Sequence, residues 1–138
     1  MSSGIEVTIK DNSKQVLSEL ETKIKIAMAA IGMDAEGYAK RGCPVDTGRL
    51  RNSITYATSE YEGQKVYTDD ENHTFADGGA QATPEPGVVY IGTNVEYAAA
   101  VEYRDGVQHT TGGAHFLKNA AANHGKEYQE KVKKILQD

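Results

Sequence analysis

The chain has 138 residues, with 15 Lys and Arg against 20 Asp and Glu and a formal net charge of -5 at pH 7. This length fits one domain, residues 1–138, that would bury about 68% of the surface its unfolded chain exposes, and the acidic balance disfavours a protein whose whole surface binds phosphates. The lone cysteine, Cys43, excludes an intrachain disulfide, and no signal peptide or membrane-spanning apolar run is visible. The sequence therefore predicts a soluble protein that folds in a reducing compartment.

The first part of the chain shows a strand pattern and then a helical pattern. Residues 5–10, IEVTIK, alternate apolar and polar side chains, which predicts a short half-buried strand. Asn12 and Gln15 then resemble a capping box, so a helix is predicted to begin at about residues 11–13. Its apolar side chains recur every three or four residues for about seven turns. They form one predicted stripe: Leu17, Leu20, Ile24, Ala27, Met28, Ile31, Ala35 and Tyr38.

The end of this long helix is marked by glycines and a proline. Gly32 and Gly37 weaken its last third by up to ~1 kcal/mol each relative to Ala, which favours a bend or fraying there. Gly42 and Pro44 then stop the helix.

The junction that follows, residues 44–54 with the sequence PVDTGRLRNSI, organises the rest of the chain. The proline ends the preceding helix, and the Asp-Thr-Gly triplet supplies turn and cap chemistry. Two apolar residues four apart then bring the chain back into the core. Capping, turning and packing explain this stretch without a catalytic motif, and the residues predicted to do so are Pro44, Asp46, Thr47, Gly48, Leu50 and Ile54.

Two strand patterns and a long loop follow the junction. Residues 54–59 and 65–68 alternate in hydropathy around a turn, which predicts a β-hairpin. No pattern is visible in residues 69–87, a stretch that begins at Asp69, ends at Gly87 and contains two prolines. A loop of this length is either functional or disordered in most compact domains, so it is predicted to be a flexible insertion.

The C-terminal half is predicted to contain one strand and two helices. Residues 88–91 form a short apolar run typical of a central strand, and residues 97–103 suit a short helix. A polar loop at residues 104–113 precedes a helix predicted from about residue 114 to residue 137. Three predicted i,i+4 ion pairs mark the solvated face of that helix: Lys126 with Glu130, Glu127 with Lys131, and Glu130 with Lys134.

Residue types that could support catalysis or metal binding do not occur at suitable spacings. His109, His115 and His124 are six and nine residues apart, and His73 lies in the polar stretch, so neither HExxH nor a pair of ligands one helical turn apart is present. Cys43 has no neighbouring cation or base to lower its pKa, which favours packing at the helix end. Metal and catalytic sites are therefore not predicted.

Charged and glycine-rich segments also favour structural interpretations. The acidic residues between positions 69 and 77 lack the calcium-loop pattern, and the paired glycines at 78–79 and 112–113 lack a phosphate-binding fingerprint. Arg49 and Arg51 could contact nucleic acid, but arginines beside an aspartate are equally typical of ion pairs in turns. The lysines at 131, 133 and 134 have acidic neighbours, as on an ordinary helix surface.

Two segments remain that suit contact with a partner protein. The stretch at residues 69–87 is long enough to order on binding. Residues 97–103 include Tyr97 and Tyr103, and tyrosine is enriched at interfaces. A flexible loop and a packed helix explain the same segments equally well.

Three motifs in order resemble the HK97 gp10-like family of tailed-phage and prophage proteins. They are PVDTGRLRNSI at residues 44–54, VYIGTNVEYA at residues 89–98 followed by VEY at 101–103, and the late Phe116-Leu117 with Ala120. The resemblance spans about residues 13–137. Each motif alone has little specificity, and their order and spacing together carry the resemblance. It identifies Gly92, Tyr97, Glu102 and Phe116 as further signature residues.

The resemblance implies a small α+β subunit of the phage neck or tail end, without enzymatic activity or cofactor. It implies head-tail joining or tail completion, assembly as a homo-oligomeric ring, and contacts with connector and tail-tube proteins in the virion. Two departures affect loop geometry: Arg104 and Asp105 precede Gly106 where many relatives have glycine directly after the Val-Glu-Tyr pattern, and His115 replaces a frequent proline. The stretch at residues 69–87 also looks longer than usual, and we expect it to reach a neighbouring subunit or the tail tube.

The sequence as a whole predicts an α+β fold in which long N-terminal and C-terminal helices pack on a small, mainly antiparallel sheet. Its predicted function is a structural role in the tail, either joining or completion, with control of tail length as an alternative. Two other classes stay open. One is a small enzyme that uses His109, His115 and a carboxylate, and the other is a nucleic-acid-binding module that uses Arg49, Arg51 and the C-terminal lysines.

Overall fold

The computed structural model describes residues 3–103 and 112–138, with side chains from Leu17 onward. Its helices and strands follow one another as α1 (Ser3–Gly42), α2 (Arg49–Ser53), β1 (Thr55–Ala57), β2 (Tyr67–Thr68), β3 (Thr74–Phe75), β4 (Tyr90–Gly92), α3 (Ala98–Tyr103), α4 (Phe116–Ala122) and α5 (Gly125–Gln137). Helices dominate and the strands are short and antiparallel. The predicted α+β class is confirmed.

The strands form two small sheets. β1 pairs with β4, with Thr55 opposite Gly92 and Ala57 opposite Tyr90, and β2 pairs with β3. The predicted hairpin between residues 54–59 and 65–68 is therefore wrong. The chain turns back immediately after β1, where the backbone of Thr58 exchanges hydrogen bonds with Tyr61, and then leaves the sheet. The apolar run before residue 92 takes the place beside β1 because both strands pack against α1.

The core lies where the C-terminal part of α1 meets α2, β2, α3 and α4. The buried residues of this cluster are small or apolar, and the aromatic ring of Phe116 and the side chain of Ile54 fill its centre. Burying a side chain of that size stabilises a fold by about 1.5–3 kcal/mol. The cluster consists of Ala39, Cys43, Leu50, Ile54, Tyr67, Val95, Ala98, Phe116 and Ala120.

Helix α1 is longer than predicted and is less buried at its N-terminal side. It already includes residues 5–10, so the predicted first strand is wrong, and the capping box at Asn12 lies inside the helix. Extending an existing helix adds one hydrogen bond per residue without a new nucleation cost, whereas a strand needs a partner. Ala27 and Ala35 are buried, but Leu17 and Leu20 remain 59% and 41% exposed. The predicted stripe is a core face only from about residue 24 onward.

Gly32 does not interrupt α1. It lies where β1 contacts the helix. A Cβ at this position would lie 2.8 Å from Cγ of the Tyr56 ring, so only glycine lets β1 approach the helix so closely. The amide of Tyr56 also donates a hydrogen bond to Glu36 Oε1 at 3.1 Å. The predicted stop of the helix at Gly42 is confirmed.

The predicted C-terminal helix is two helices, α4 and α5, separated at Asn123 and His124. Asn, His and Gly in succession are weak helix formers, and the break lets α5 turn and run along α1. The three predicted i,i+4 ion pairs do not form. Glu127 instead pairs with His124, and Lys131 pairs with Asp34 of α1.

The stretch at residues 69–87 is not structureless, because it contains β3 and several backbone hydrogen bonds. The short helix predicted at residues 97–103 is found as α3. The predicted central strand is shorter than expected, since β4 begins at Tyr90 and pairs with β1 alone among the described strands. Within the described part of the chain, a search for a helix long and apolar enough to cross a membrane finds none.

Candidate assembly site

The junction at residues 44–54 folds as a tight turn followed by α2. Gly48 has a φ of 85°, a left-handed conformation that glycine adopts without steric cost, and a Cβ there would lie 2.5 Å from the carboxylate of Asp70. Thr47 Oγ1 accepts the backbone N–H of Arg49 at 3.3 Å, and the Thr47 carbonyl accepts the N–H of Asp70 at 2.8 Å. Asp46 is exposed to solvent. Thr47 and Gly48 thus shape the turn and attach it to the chain beyond β2.

Arg49 holds the β2–β3 hairpin against α2. Its Nη2 lies 2.9 Å from Asp77 Oδ2, its Nη1 lies 3.5 Å from Glu96 Oε1, and its guanidinium sits 4.3 Å from the centre of the Phe75 ring. The hydroxyl of the buried Tyr67 donates to Asp77 Oδ1 at 2.6 Å. One arginine therefore connects the junction, the hairpin and the segment before α3.

A second set of contacts fastens the same hairpin. Arg51 forms an ion pair with the carboxylate of Asp70. Asn52 donates from Nδ2 to the carbonyl of Thr68 at 2.8 Å. The beginning of the stretch at residues 69–87 is therefore held on α2 by charged and neutral hydrogen bonds together.

The charges of this cluster are fixed by their neighbours. The Tyr67 hydroxyl and then the Asp77 carboxylate raise the pKa of Arg49, although burial opposes them. The hydrogen bond from Tyr67, followed by the one from Arg49, lowers the pKa of Asp77 against the effect of burial. Burial and Asp77 raise the pKa of Tyr67. At neutral pH the arginine and the aspartate stay ionised and the tyrosine stays protonated, which suits a structural anchor better than an acid–base pair.

The first two signature segments meet directly. Ser53 Oγ and Thr93 Oγ1 lie 2.5 Å apart, and Thr93 Oγ1 also accepts the N–H of Val95 at 3.1 Å. Asn94 donates from Nδ2 to the carbonyl of Gly79 at 2.5 Å. One interlocked unit therefore contains the two segments at residues 44–54 and 89–98 together with the part of the stretch around Gly79.

Glu102 caps helix α4 from the end of α3. Its buried carboxylate accepts the N–H groups of Leu117 at 2.7 Å and Lys118 at 3.3 Å. A carboxylate at a helix N-terminus satisfies unpaired N–H groups and complements the helix dipole. Glu102 takes the place of a local cap, because the side chain of the N-cap residue, His115, makes no capping hydrogen bond. His115 has a φ of 62°, a backbone conformation that a proline cannot adopt.

The remaining signature residues lie near the surface or in the core. Tyr97 and Tyr103 are 41% and 72% exposed at the two ends of α3, while Phe116 is buried. Gly92 lies in β4, and a Cβ there would meet open space. Exposed tyrosines on a well-packed support are typical of protein contact surfaces.

The candidate catalytic residues have structural contacts instead. His73 lies on the hairpin with Nδ1 3.0 Å from Asp69 Oδ2, and His124 stacks on the ring of Tyr38 with 3.5 Å between centroids. His115 is the N-cap residue of α4, and His109 lies outside the described residues. Burial raises the pKa of the Cys43 thiol to about 12, so it is not a thiolate at neutral pH.

One group of side chains on the hairpin resembles a metal-ligand set. Among the described residues, Asp69, Glu71 and His73 offer ligand atoms that lie within 4.8 Å of one another. Asp69 Oδ1 already accepts the N–H groups of Glu71 at 2.9 Å and His73 at 2.8 Å. Burial tends to raise the pKa of Asp69, but these bonds and the His73 side chain outweigh it and lower the pKa. Closing the turn between β2 and β3 explains this arrangement.

Several residues that build the site were not found from the sequence. Tyr67 lies in the predicted strand at residues 65–68, Asp77 among the acidic residues of the long loop, and Asn94 in the second motif, but no pattern assigns them a role in the site. The signal that was available is the position of Asn94 inside the second motif. The partners Ser53 and Thr93 are 40 residues apart, and a single sequence gives no direct indication of such a contact.

Comparison with known proteins identifies the family of this chain. Searches of curated proteins and of solved structures give no match. A family model described as "Bacteriophage HK97-gp10, putative tail-component" matches residues 8–103, which include both interlocked segments and Glu102 but not α4 and α5. The match begins before the expected residue 13 and ends well before residue 137. The chain belongs to the HK97 gp10-like family of phage tail components.

Proposed function

We propose that this protein is a structural component of a tailed-phage or prophage particle that acts in head-tail joining or tail completion. Membership of a tail-component family supports the general role. The observation that supports the finer role is the interlocked unit around Arg49, in which side chains of the two signature segments and of the hairpin hold one another in place. Tyr97 and Tyr103 stand exposed beside it and are available for contact with other subunits.

The proposed assembly is a homo-oligomeric ring that contacts connector and tail-tube proteins. Each subunit would be a single domain comprising residues 1–138, and it would enter the virion after assembly in the bacterial cytoplasm. No cofactor is needed for this role. The residues proposed to form the contacts are Tyr97, Tyr103 and the outer surface of residues 69–87.

A structural role also fits the state of the candidate chemical groups better than catalysis or nucleic-acid binding does. The Cys43 thiol is buried with a raised pKa. Arg49 and Arg51, the candidate phosphate ligands, already contact carboxylates of Asp77, Glu96 and Asp70. An arginine engaged in this way must lose an ion pair before it can bind a phosphate. We therefore expect Arg49 and Arg51 to add no salt-dependent affinity for DNA in a gel-shift assay at low salt.

Electron microscopy of particles that lack the protein tests the proposed role. Free heads and free tails would support joining, whereas attached tails of abnormal length would favour control of tail length. Normal, infectious particles without the protein would overturn both proposals. Complementation with the wild-type chain in the same host is the control, since it must restore normal particles.

The stretch at residues 69–87 needs a finer test than deletion. Removing residues 71–84 would also remove Phe75, Asp77 and Gly79, which anchor the hairpin to α2 and to Asn94. Such a deletion would damage the fold as well as assembly. Substitutions of exposed side chains separate the two effects.

A further inference from the structure

The β2–β3 hairpin carries an excess of negative charge. Residues 66–103 contain seven Asp and Glu and neither Lys nor Arg. In the folded protein Arg51 and Arg49 approach Asp70 and Asp77, while Glu71 is 65% exposed and its Oε2 lies 3.8 Å from His73 Nδ1. We call the surface formed by Asp70, Glu71 and Asp77 the acidic hairpin. Arg49 and Arg51 neutralise Asp77 and Asp70 but not Glu71, so this surface keeps a net negative charge.

Helix α5 carries the opposite charge on its outer side. Lys131 and Glu127 are engaged by Asp34 and His124, as described above. Lys126, Lys133 and Lys134 are exposed, and none of them forms an ion pair within the described chain. Glu130 is the exposed acidic residue among them. We call the surface formed by Lys126, Lys133 and Lys134 the lysine face.

Exposed apolar residues lie on α1, against which α5 packs, and next to the acidic hairpin. Met33 is 58% exposed and lines, with Lys131 and Glu127, a groove of about 390 Å³ between α1 and α5. Val66 is 54% exposed and directly precedes β2 of the hairpin. Interfaces combine an apolar centre with a polar rim. These exposed apolar residues would supply apolar contact area, which charged side chains alone do not supply.

The two surfaces belong to different parts of the molecule, because α5 packs against α1 and the hairpin packs against α2. We propose that the lysine face of one copy binds the acidic hairpin of the next copy. Such a contact joins two different surfaces, and repeated contacts of this type close into a ring when the rotation allows it. This inference rests on the proposed multi-copy assembly and names the surfaces that would form it. Charge complementarity would set the pairing and its orientation.

Charge reversal in the full chain tests the proposal. The double variant Lys133→Glu with Lys134→Glu and the single variant Glu71→Lys should each weaken self-association about tenfold or more, measured by sedimentation velocity at low salt. A chain with all three substitutions restores complementary charges and should recover the association. High salt should weaken the wild-type association because it screens exposed charges.

Matched controls separate the interface from general charge effects. Lys118→Glu on α4 and Glu85→Lys outside the hairpin each reverse one charge at another exposed position and should leave association unchanged. Circular dichroism should show that every variant is folded. Triple-variant chains that stay dissociated, or single-surface variants that associate like wild type, would overturn the proposal. A wild-type chain that stays monomeric at low salt and millimolar concentration would overturn it too, while particle morphology would still test the tail role independently.

Discussion

Helix α1 makes two long contacts, one with the core around the junction and one with α5, and it is packed differently in each. Around the junction it meets residues that are almost wholly buried, among them Cys43, Ile54 and Phe116. Along α5 it meets no buried residue, and the contacts include the Tyr38–His124 ring stack, the Tyr38–Glu127 hydrogen bond and the Lys131–Asp34 ion pair. The first contact depends on shape and on buried hydrogen bonds, and the second depends on surface contacts, which contribute little individually.

The difference between these two regions indicates where substitutions should affect the stability of the fold least. The family match includes the junction, the hairpin and Glu102, and it ends before α4 and α5. A region held by buried contacts constrains each side chain, whereas a region held by surface contacts leaves its outer residues free for other roles. The outer face of α5 is therefore a place where a contact with another chain costs the fold little.

Phe116→Ala, in the well-packed region, should cause the largest loss in the free energy of unfolding. Its ring is 2% exposed and lies among the residues of the main core, so truncation leaves a cavity. We expect the free energy of unfolding to fall by about 3–5 kcal/mol in urea denaturation. Leu136→Ala, at a half-buried position on α5, is the comparison and should cost clearly less. Equal losses at the two positions would contradict the contrast between the regions.

Gly48→Ala should produce the next largest effect. The substitution places a Cβ at a φ of 85° and 2.5 Å from the Asp70 carboxylate. We expect a loss of about 1–3 kcal/mol in the free energy of unfolding. Gly92→Ala is the matched control, because its Cβ would meet open space, and it should be close to neutral. A neutral Gly48→Ala would show that the turn is not constrained as described.

Local signals in the sequence predicted the ends and types of several elements. The stop of α1 at Gly42 follows from the glycine and proline there, and α3 follows from the short alanine-rich pattern. The strand predicted at residues 5–10 failed because a six-residue alternation does not exclude continuation of the helix that follows. The break between α4 and α5 at Asn123 was missed because the apolar spacing continues on both sides of it.

Long-range partners could not be predicted from local patterns. The pairing of β1 with β4 instead of β2 depends on packing against α1, and the contact of Ser53 with Thr93 depends on that pairing. The motif resemblance indicated which segments matter, and the structure supplies a physical account for Thr47, Gly48 and Glu102. It supplies none for Gly92, whose position would accept a larger residue sterically.

Asp77→Asn should weaken the attachment of the hairpin and reduce its acid sensitivity. The pKa of Asp77 lies below its ordinary value of 3.8, so its carboxylate stabilises the fold above that value and this contribution is lost as the pH falls toward the lowered pKa. We expect a loss of about 1 kcal/mol at pH 7, limited because the side chain is 43% exposed. Urea unfolding between pH 5 and about pH 3 should then show a shallower decline than in wild type. Asp69, whose pKa is also lowered, should preserve part of the decline.

The same chemical change in both regions gives the sharpest comparison. Tyr67→Phe and Tyr38→Phe each remove a hydroxyl that donates to a carboxylate, Asp77 in one case and Glu127 in the other. Tyr67 is 4% exposed, so its loss should lower the free energy of unfolding by about 0.5–1 kcal/mol. Water can replace the solvent-exposed bond of Tyr38, so that variant should unfold at the wild-type urea midpoint. Because neither substitution changes the ring, equal shifts in the two midpoints would contradict the difference between the buried core region and the surface contact of α1 with α5.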